Sequence, residues 1–135
     1  MIGLVIVAHS PKVAEGICDM VEHIIANEGG KQMAIVPAGG NLQNDFGTDP
    51  QKVLEAIKKA DQGDGVVIIA DLGSAVISAQ AAISMLEQEQ KARVKLADAP
   101  FLEGAIGAGL EASNFESTLE GVIATAETSR QLHKK

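Results

Sequence analysis

Aromatic residues are nearly absent from this chain of 135 residues, which contains three Phe and neither Tyr nor Trp. Single-stranded nucleic acids are bound largely by stacking their bases on such rings, so this class of partner is disfavoured. The formal net charge of −7 also opposes binding to a phosphate backbone. We therefore expect no nucleic-acid partner.

Cysteine and long apolar runs are also scarce. Cys18 is the only cysteine, which excludes an intrachain disulfide framework and is typical of a reducing compartment. No apolar run approaches the length of a membrane span, and the apolar N-terminus lacks the basic residues of a secretion signal. These absences predict a cytoplasmic protein without a membrane span.

Several motifs that bind cofactors or activate nucleophiles are missing. The sequence has no Walker A run, no G-x-G-x-x-G after its first apolar segment and no G-x-S-x-G around Ser74. It also lacks the closely spaced His and Cys residues that bind zinc. We therefore expect no metal, no cofactor and no nucleotide held by a P-loop.

The sequence does contain strand-length apolar runs that alternate with helical patterns, and its length fits one domain over residues 1–135. This alternation predicts an α/β fold with a doubly wound, mainly parallel four-stranded sheet in the order 2-1-3-4, flanked by helices. The predicted strands span residues 2–8, 33–36, 66–70 and 92–96. The predicted helices begin at Pro11 and near Asp49–Pro50, and span residues 75–89, 101–111 and 115–131.

Three predicted loops meet at the edge of the sheet where α/β proteins bind their ligands. His9 follows the first strand directly, and an imidazole there suits phosphoryl transfer because one ring nitrogen can act as nucleophile while an acceptor holds the other. Asp71, after the neighbouring strand, is the predicted acceptor. Phosphoryl oxygens need hydroxyl and backbone N–H donors, and the predicted phosphate-binding residues are Ser10, Gly39, Gly40, Thr48, Gly73 and Ser74.

Each of these residues also has a purely structural interpretation. His9 could end a capped turn, Asp71 could cap the next helix, and Gly39–Gly40 could be ordinary loop residues. The conjunction of all three loops favours a functional site over these alternatives. Because nucleotide-binding motifs are missing, the site is typical of a carrier that accepts a phosphoryl group from one protein and gives it to another.

Four segments of the chain resemble the mannose-type enzyme IIA domains of the bacterial phosphotransferase system (PTS). They are VIVAHS at residues 5–10, GTD at 47–49, GDG at 63–65 and DLGSA at 71–75. The resemblance covers nearly the whole chain, and the segments occur in the family's order. The last segment is most similar to the members that serve phosphoenolpyruvate-dependent dihydroxyacetone kinases. Where the family often has Gly-Gly-Thr, this chain has Asn41 after Gly39–Gly40.

The resemblance implies that His9 is phosphorylated by the carrier protein HPr. It implies that the acceptor is ADP bound to the DhaL subunit, and that dihydroxyacetone held by DhaK receives the phosphoryl group next. It also implies a homodimer, and a stand-alone form that relies on separate carriers, since some relatives carry HPr-like and enzyme I-like domains on one chain. The alternative acceptor within the family is an enzyme IIB of a mannose-type sugar PTS.

Two functions from other classes remain open from the sequence. A receiver-like signalling domain also ends its third strand in an aspartate, but it needs an acidic pair after the first strand, where His9 and Ser10 stand. A ligand-binding module would use His9 only for hydrogen bonding. Linkage chemistry separates the three functions, because phosphohistidine is acid-labile, phosphoaspartate is base-labile and a binding module takes up no phosphate.

Overall fold

A sheet of four parallel strands forms the centre of the computed structural model, which describes residues 1–135. The central strands contain almost only buried apolar residues, as expected of parallel strands covered on both faces. The predicted α/β fold and strand order are confirmed, the order being β2-β1-β3-β4. The strands are β1 (Gly3–Ala8), β2 (Ile35–Gly39), β3 (Val66–Ala70) and β4 (Val94–Leu96).

Helices cover both faces of this sheet. Val5 and Val7 of β1 belong to one apolar layer, and the alternate side chains Leu4 and Ile6 belong to the other. None of the helices combines the length and the apolar character needed to cross a lipid bilayer. The helices are α1 (Pro11–Asn27), α2 (Pro50–Ala60), α3 (Gly73–Ser84), α4 (Gln88–Lys91), α5 (Phe101–Ala112) and α6 (Leu119–Thr128), followed by a 3-10 turn at Ser129–Gln131.

The second strand differs from its predicted span of residues 33–36. It begins at Ile35 and continues through Pro37 to Gly39. Proline was expected to end the strand because it has no N–H to donate. β2 lies at the edge of the sheet, however, where a missing donor on the open side breaks no ladder.

Three other predicted boundaries were wrong. The helix predicted over residues 75–89 begins earlier, at Gly73, and ends at Ser84, because the extended backbone of Glu87 separates it from α4. The segment 115–131 becomes helical only at Leu119, since the Thr118 hydroxyl accepts from the Gly121 N–H at 3.0 Å and caps α6 there. The fourth strand is also shorter, starting at Val94 rather than at residue 92.

An ion pair joins the end of α2 to the start of β4. The Arg93 guanidinium donates to Asp61 through Nη2 at 2.7 Å and through Nε at 3.1 Å, and Gln90 Nε2 donates to the same carboxylate at 2.8 Å. The Asp61 side chain is only 5% exposed. The hydrogen bond from Arg93 is the main cause that lowers the pKa of Asp61.

We expect Asp61→Asn to lower the free energy of unfolding at neutral pH by about 1–2 kcal/mol, because the ion pair with Arg93 is lost. The loss is modest because Arg93 is partly exposed and water screens its charge. A carboxyl whose pKa is lowered by folding stabilises the folded state above its unfolded pKa, and this contribution is lost as the pH falls through the folded value. Urea denaturation should therefore show a difference from wild type that shrinks below about pH 4. A difference that is constant from pH 7 to pH 3 would contradict this assignment.

Pairing of the central strands β1 and β3 places His9 and Asp71 side by side at the carboxyl ends of these strands. Val7 of β1 lies opposite Ala70 of β3, and the Asp71 N–H donates to the Val7 carbonyl at 3.0 Å. The chain leaves β1 into α1 and leaves β3 into α3, so two helices begin next to this point. This is the switch point of the doubly wound sheet.

Candidate active site

The Asp71 carboxylate holds His9 through both its backbone and its ring. Asp71 Oδ2 accepts from the His9 backbone N–H at 3.0 Å, and Asp71 Oδ1 lies 2.9 Å from His9 Nδ1. Oδ1 also accepts from the Leu72 N–H at 2.6 Å. Both side chains are largely covered, with 13% of His9 and 16% of Asp71 exposed. The two backbone N–H donors therefore fix the position of the Asp71 carboxylate independently of its contact with the ring.

This contact selects the tautomer of a neutral His9 ring. A carboxylate only accepts hydrogen bonds, so the ring proton lies on Nδ1 and points to Asp71. Nε2 then carries the lone pair. The alternative in which Asp71 merely caps α3 does not hold, because the N-cap residue is Leu72 and no side chain caps this helix.

Ser74 lies at the other nitrogen of the ring. Its hydroxyl contacts His9 Nε2 and donates to the lone pair there. Gly73 and Ser74 form the first turn of α3, whose N–H groups have no acceptor inside the helix. Nε2 consequently faces a hydroxyl, a helix N-terminus and its partial positive charge, a combination that favours an anionic group.

The two other predicted hydroxyls are engaged elsewhere. The Ser10 hydroxyl caps α1 by accepting from the Val13 N–H at 3.3 Å. The Thr48 hydroxyl lies 2.8 Å from Ser78 Oγ and donates to the Ser74 carbonyl at 3.4 Å, so it joins the second loop to α3. Thr48 therefore contacts the turn that carries Ser74 rather than the imidazole.

Gly39 and Gly40 allow the second loop to pack closely on the start of α1. A Cβ at Gly39 would lie 2.6 Å from Pro11 Cα, and Gly40 has a φ of +76°, which side chains rarely adopt. The Gly40 N–H donates to the Ala8 carbonyl at 3.0 Å. Gly39 and Gly40 therefore contact other parts of the protein, as expected if they are loop residues that allow close packing.

We expect Gly39→Ala to lower the free energy of unfolding by about 1–3 kcal/mol, because its Cβ would meet backbone atoms of α1 that cannot move freely. Thermal or urea denaturation measures this change. Gly16→Ala is the matched control, since a Cβ there has nothing within 4 Å and should leave the stability unchanged or raised. A stable Gly39→Ala protein that fails to take up phosphate would instead indicate a binding role.

Two residues of the second loop region were not predicted. Lys52, in α2, donates through Nζ to the Gly39 carbonyl at 2.7 Å, the Asn41 carbonyl at 3.2 Å and Asn44 Oδ1 at 2.5 Å. Phe46 lies beside the His9 ring, with 5.4 Å between the ring centroids. An aromatic residue in a largely polar loop was the only signal for Phe46, and Lys52 had none.

The Asn41 side chain organises this loop rather than facing the imidazole. Its Oδ1 accepts from the N–H groups of Gln43 and Asp45, each at 3.0 Å, and its own N–H donates to the Asp45 carbonyl at 2.9 Å. These contacts form an Asx-type turn. Asn41 therefore stabilises the turn in the second loop.

The remaining candidate groups are not arranged for catalysis. Burial raises the pKa of the Cys18 thiol to about 12, which keeps it protonated and unreactive. His23 lies on the exposed side of α1, where its Nδ1 contacts the Asp19 carbonyl at 2.9 Å. No group of three or more His, Cys, Asp or Glu side chains is arranged to hold a metal ion.

Known protein families and solved structures are similar to this chain over most of its length. The model of the EIIA-man family, described as "PTS system fructose IIA component", matches residues 3–123. A solved structure described as "unknown function protein EF1359" superposes with a TM-score of 0.82 and 32% identity, covering 94% of this chain and 93% of that one.

Curated relatives include subunits of dihydroxyacetone kinases. The "PEP-dependent dihydroxyacetone kinase, phosphoryl donor subunit DhaM" of Klebsiella michiganensis is 33% identical over 96% of this chain, and that of Escherichia coli is 37% identical over 84%. The chain spans only 28% and 24% of those two proteins. A Listeria innocua "PEP-dependent dihydroxyacetone kinase 2, phosphoryl donor subunit DhaM" is 31% identical, with 82% of this chain and 86% of the relative covered. The chain therefore belongs to the EIIA-man family of the phosphotransferase system.

Proposed function

We propose that this chain is a cytoplasmic phosphoryl carrier that accepts a phosphoryl group from phospho-HPr on His9 and passes it to ADP bound to DhaL. The ATP formed there then phosphorylates dihydroxyacetone held by DhaK. The observation that carries the proposal is the His9 ring, whose Nδ1 contacts Asp71 at 2.9 Å while Nε2 faces Ser74 and the start of α3. We also propose that the carrier works as a homodimer.

The geometry supports attack by Nε2 on phosphorus. The lone pair of Nε2 forms the new N–P bond, and the bond from phosphorus to the donor's histidine breaks. Positive charge then develops on the His9 ring, whose proton remains on Nδ1, and the Asp71 carboxylate stabilises that charge. Asp71 thus lowers the cost of forming a phosphohistidine.

The same contact favours release of the phosphoryl group. With its proton held on Nδ1, the ring leaves phosphorus as neutral imidazole, which is a far better leaving group than an imidazolate. Ser74 must give up its contact with Nε2 when phosphate arrives, and its hydroxyl is then free to donate to a phosphoryl oxygen. The N–H groups of the first turn of α3 can donate to the same oxygens.

The choice of acceptor rests on the relatives. The Listeria protein named as a phosphoryl donor subunit has 86% of its length covered by this chain, so a chain of this size is found in that role. An enzyme IIB of a mannose-type sugar PTS is the alternative acceptor.

A transfer assay distinguishes the two acceptors. The chain is labelled with ³²P from phosphoenolpyruvate, enzyme I and HPr, freed of these components, and divided between DhaL–ADP and a mannose-type enzyme IIB. We expect labelled ATP in the first sample and retained label in the second. DhaL without ADP is the control and should leave the label on the chain. Transfer to enzyme IIB but not to DhaL–ADP would contradict the proposed acceptor.

A further inference from the structure

Phe46 is the most exposed of the large apolar side chains, yet it contacts the proposed nucleophile. Its residue surface is 76% exposed, whereas the His9 side chain beside it is only 13% exposed. The two ring centroids lie 5.4 Å apart with an angle of 37° between the planes, which is within the range of a stabilising ring contact. An exposed aromatic ring in an aromatic-poor chain contributes little to the core, so this contact needs another reason.

The position of Phe46 is set by the backbone around it. The next residue, Gly47, donates its N–H to the His9 carbonyl at 2.9 Å and has a φ of +142°. On the other side, the Asp45 N–H donates to Asn41 Oδ1 at 3.0 Å, and Lys52 of α2 donates to the Asn41 carbonyl and to Asn44 Oδ1. The ring is therefore held beside His9 by anchors on both sides.

We propose that Phe46 is a positioning residue that fixes the plane of the His9 ring and shields the N–P bond of the phosphohistidine from water. Asp71 and Ser74 contact the ring nitrogens, and Phe46 adds the apolar contact that neither of them provides. The inference rests on the proposed function, since it requires a phosphohistidine. Its consequence is a longer-lived phosphorylated carrier.

Loss of the group to water is the reaction that this contact opposes. A water oxygen forms a bond to phosphorus, the Nε2–P bond breaks, and its electron pair returns to Nε2. Both protons of the water remain on the inorganic phosphate, while the ring keeps its proton on Nδ1. A carrier must give the group to an acceptor instead, and an apolar side chain beside the ring hinders the approach of water.

The half-life of the phosphohistidine tests this role. Wild type, Phe46→Ala, Phe46→Leu and Phe115→Ala are phosphorylated with phosphoramidate, a small donor that needs no protein partner, and the loss of phosphate is followed at neutral pH. We expect Phe46→Ala to shorten the half-life by about two- to tenfold, the range of an aromatic contact. Phe46→Leu should restore much of it. Phe115 is the matched control, because it is a similarly exposed phenylalanine (68%) whose ring lies against Lys31 and not against His9. Phe115→Ala should therefore match wild type.

A spectroscopic readout on the unphosphorylated protein accompanies this measurement. Removing the Phe46 ring should shift the NMR resonances of the His9 ring protons, and Phe115→Ala should leave them in place. Equal half-lives for Phe46→Ala and wild type would overturn the proposal, as would unchanged His9 resonances. Failure of phospho-HPr to label the wild type would overturn the proposed donor alone, because phosphoramidate still decides the role of Phe46.

Discussion

His9→Gln accepts no label from phosphoenolpyruvate, enzyme I and HPr, whereas wild type is labelled at one histidine. Glutamine retains polar groups near Asp71 but has no ring nitrogen that can attack phosphorus. The loss should be complete, because both other histidines are exposed: His23 lies on the surface of α1, where its Asp19 partner is exposed as well, and His133 lies beyond the last helical turn. Gel electrophoresis with phosphorimaging measures the label.

His23→Gln is the matched control and should be labelled like wild type. The label on wild type should be lost in acid and retained in base, as expected of phosphohistidine and opposite to phosphoaspartate. Full labelling of His9→Gln would show that His9 is not the phosphorylated residue. A base-labile label would point instead to an aspartate, as in the receiver-like interpretation of the sequence.

Asp71→Asn should slow the transfer from phospho-HPr by roughly 10²–10⁴-fold, as when an orienting carboxylate is lost in other histidine-dependent enzymes. The asparagine amide can donate to Nδ1, which would move the ring proton to Nε2 and remove the lone pair that attacks phosphorus. The variant also loses the negative charge that stabilises the phosphorylated ring. Single-turnover labelling with rapid quench measures the rate.

Asp45→Asn provides the control for net charge. Asp45 is an exposed carboxylate in the loop near the site, and none of the hydrogen bonds described above uses its side chain. We expect its transfer rate to match wild type. Because Asp71 also accepts from the His9 and Leu72 N–H groups, denaturation curves of Asp71→Asn are needed to show that it is folded at the assay temperature. A folded Asp71→Asn protein with the rate of Asp45→Asn would show that Asp71 does not orient His9.

The sequence was sufficient to predict the pairing of His9 with Asp71, because that pairing depends on strand order alone. Uninterrupted apolar runs identify the two central strands, and the order places their ends side by side. Any polar residue directly after either strand must then lie at the same edge. The structure adds the two contacts of Asp71, to the ring and to the backbone of His9.

The hydrogen-bond partners of the hydroxyl groups could not be predicted in the same way. Ser10, Thr48 and Ser74 all lie after a strand and no later than the first turn of the helix that follows it, yet only Ser74 contacts the imidazole. A hydroxyl bonds to whichever donor or acceptor the folded loop brings near, and for Ser10 that is the free N–H of its own helix. The contact of Phe46 with His9 likewise depends on how Lys52 and Asn41 close the second loop.

The ring nitrogen that carries the phosphoryl group tests the proposed role of His9 most directly. Two-dimensional ¹H–¹⁵N and ³¹P NMR of the phosphorylated wild-type protein identifies both the residue and the nitrogen. Because Nδ1 is bound to Asp71, we expect a single phosphohistidine, at residue 9 and bonded through Nε2. A phosphoryl group on His9 Nδ1, or on any other residue, would contradict this role.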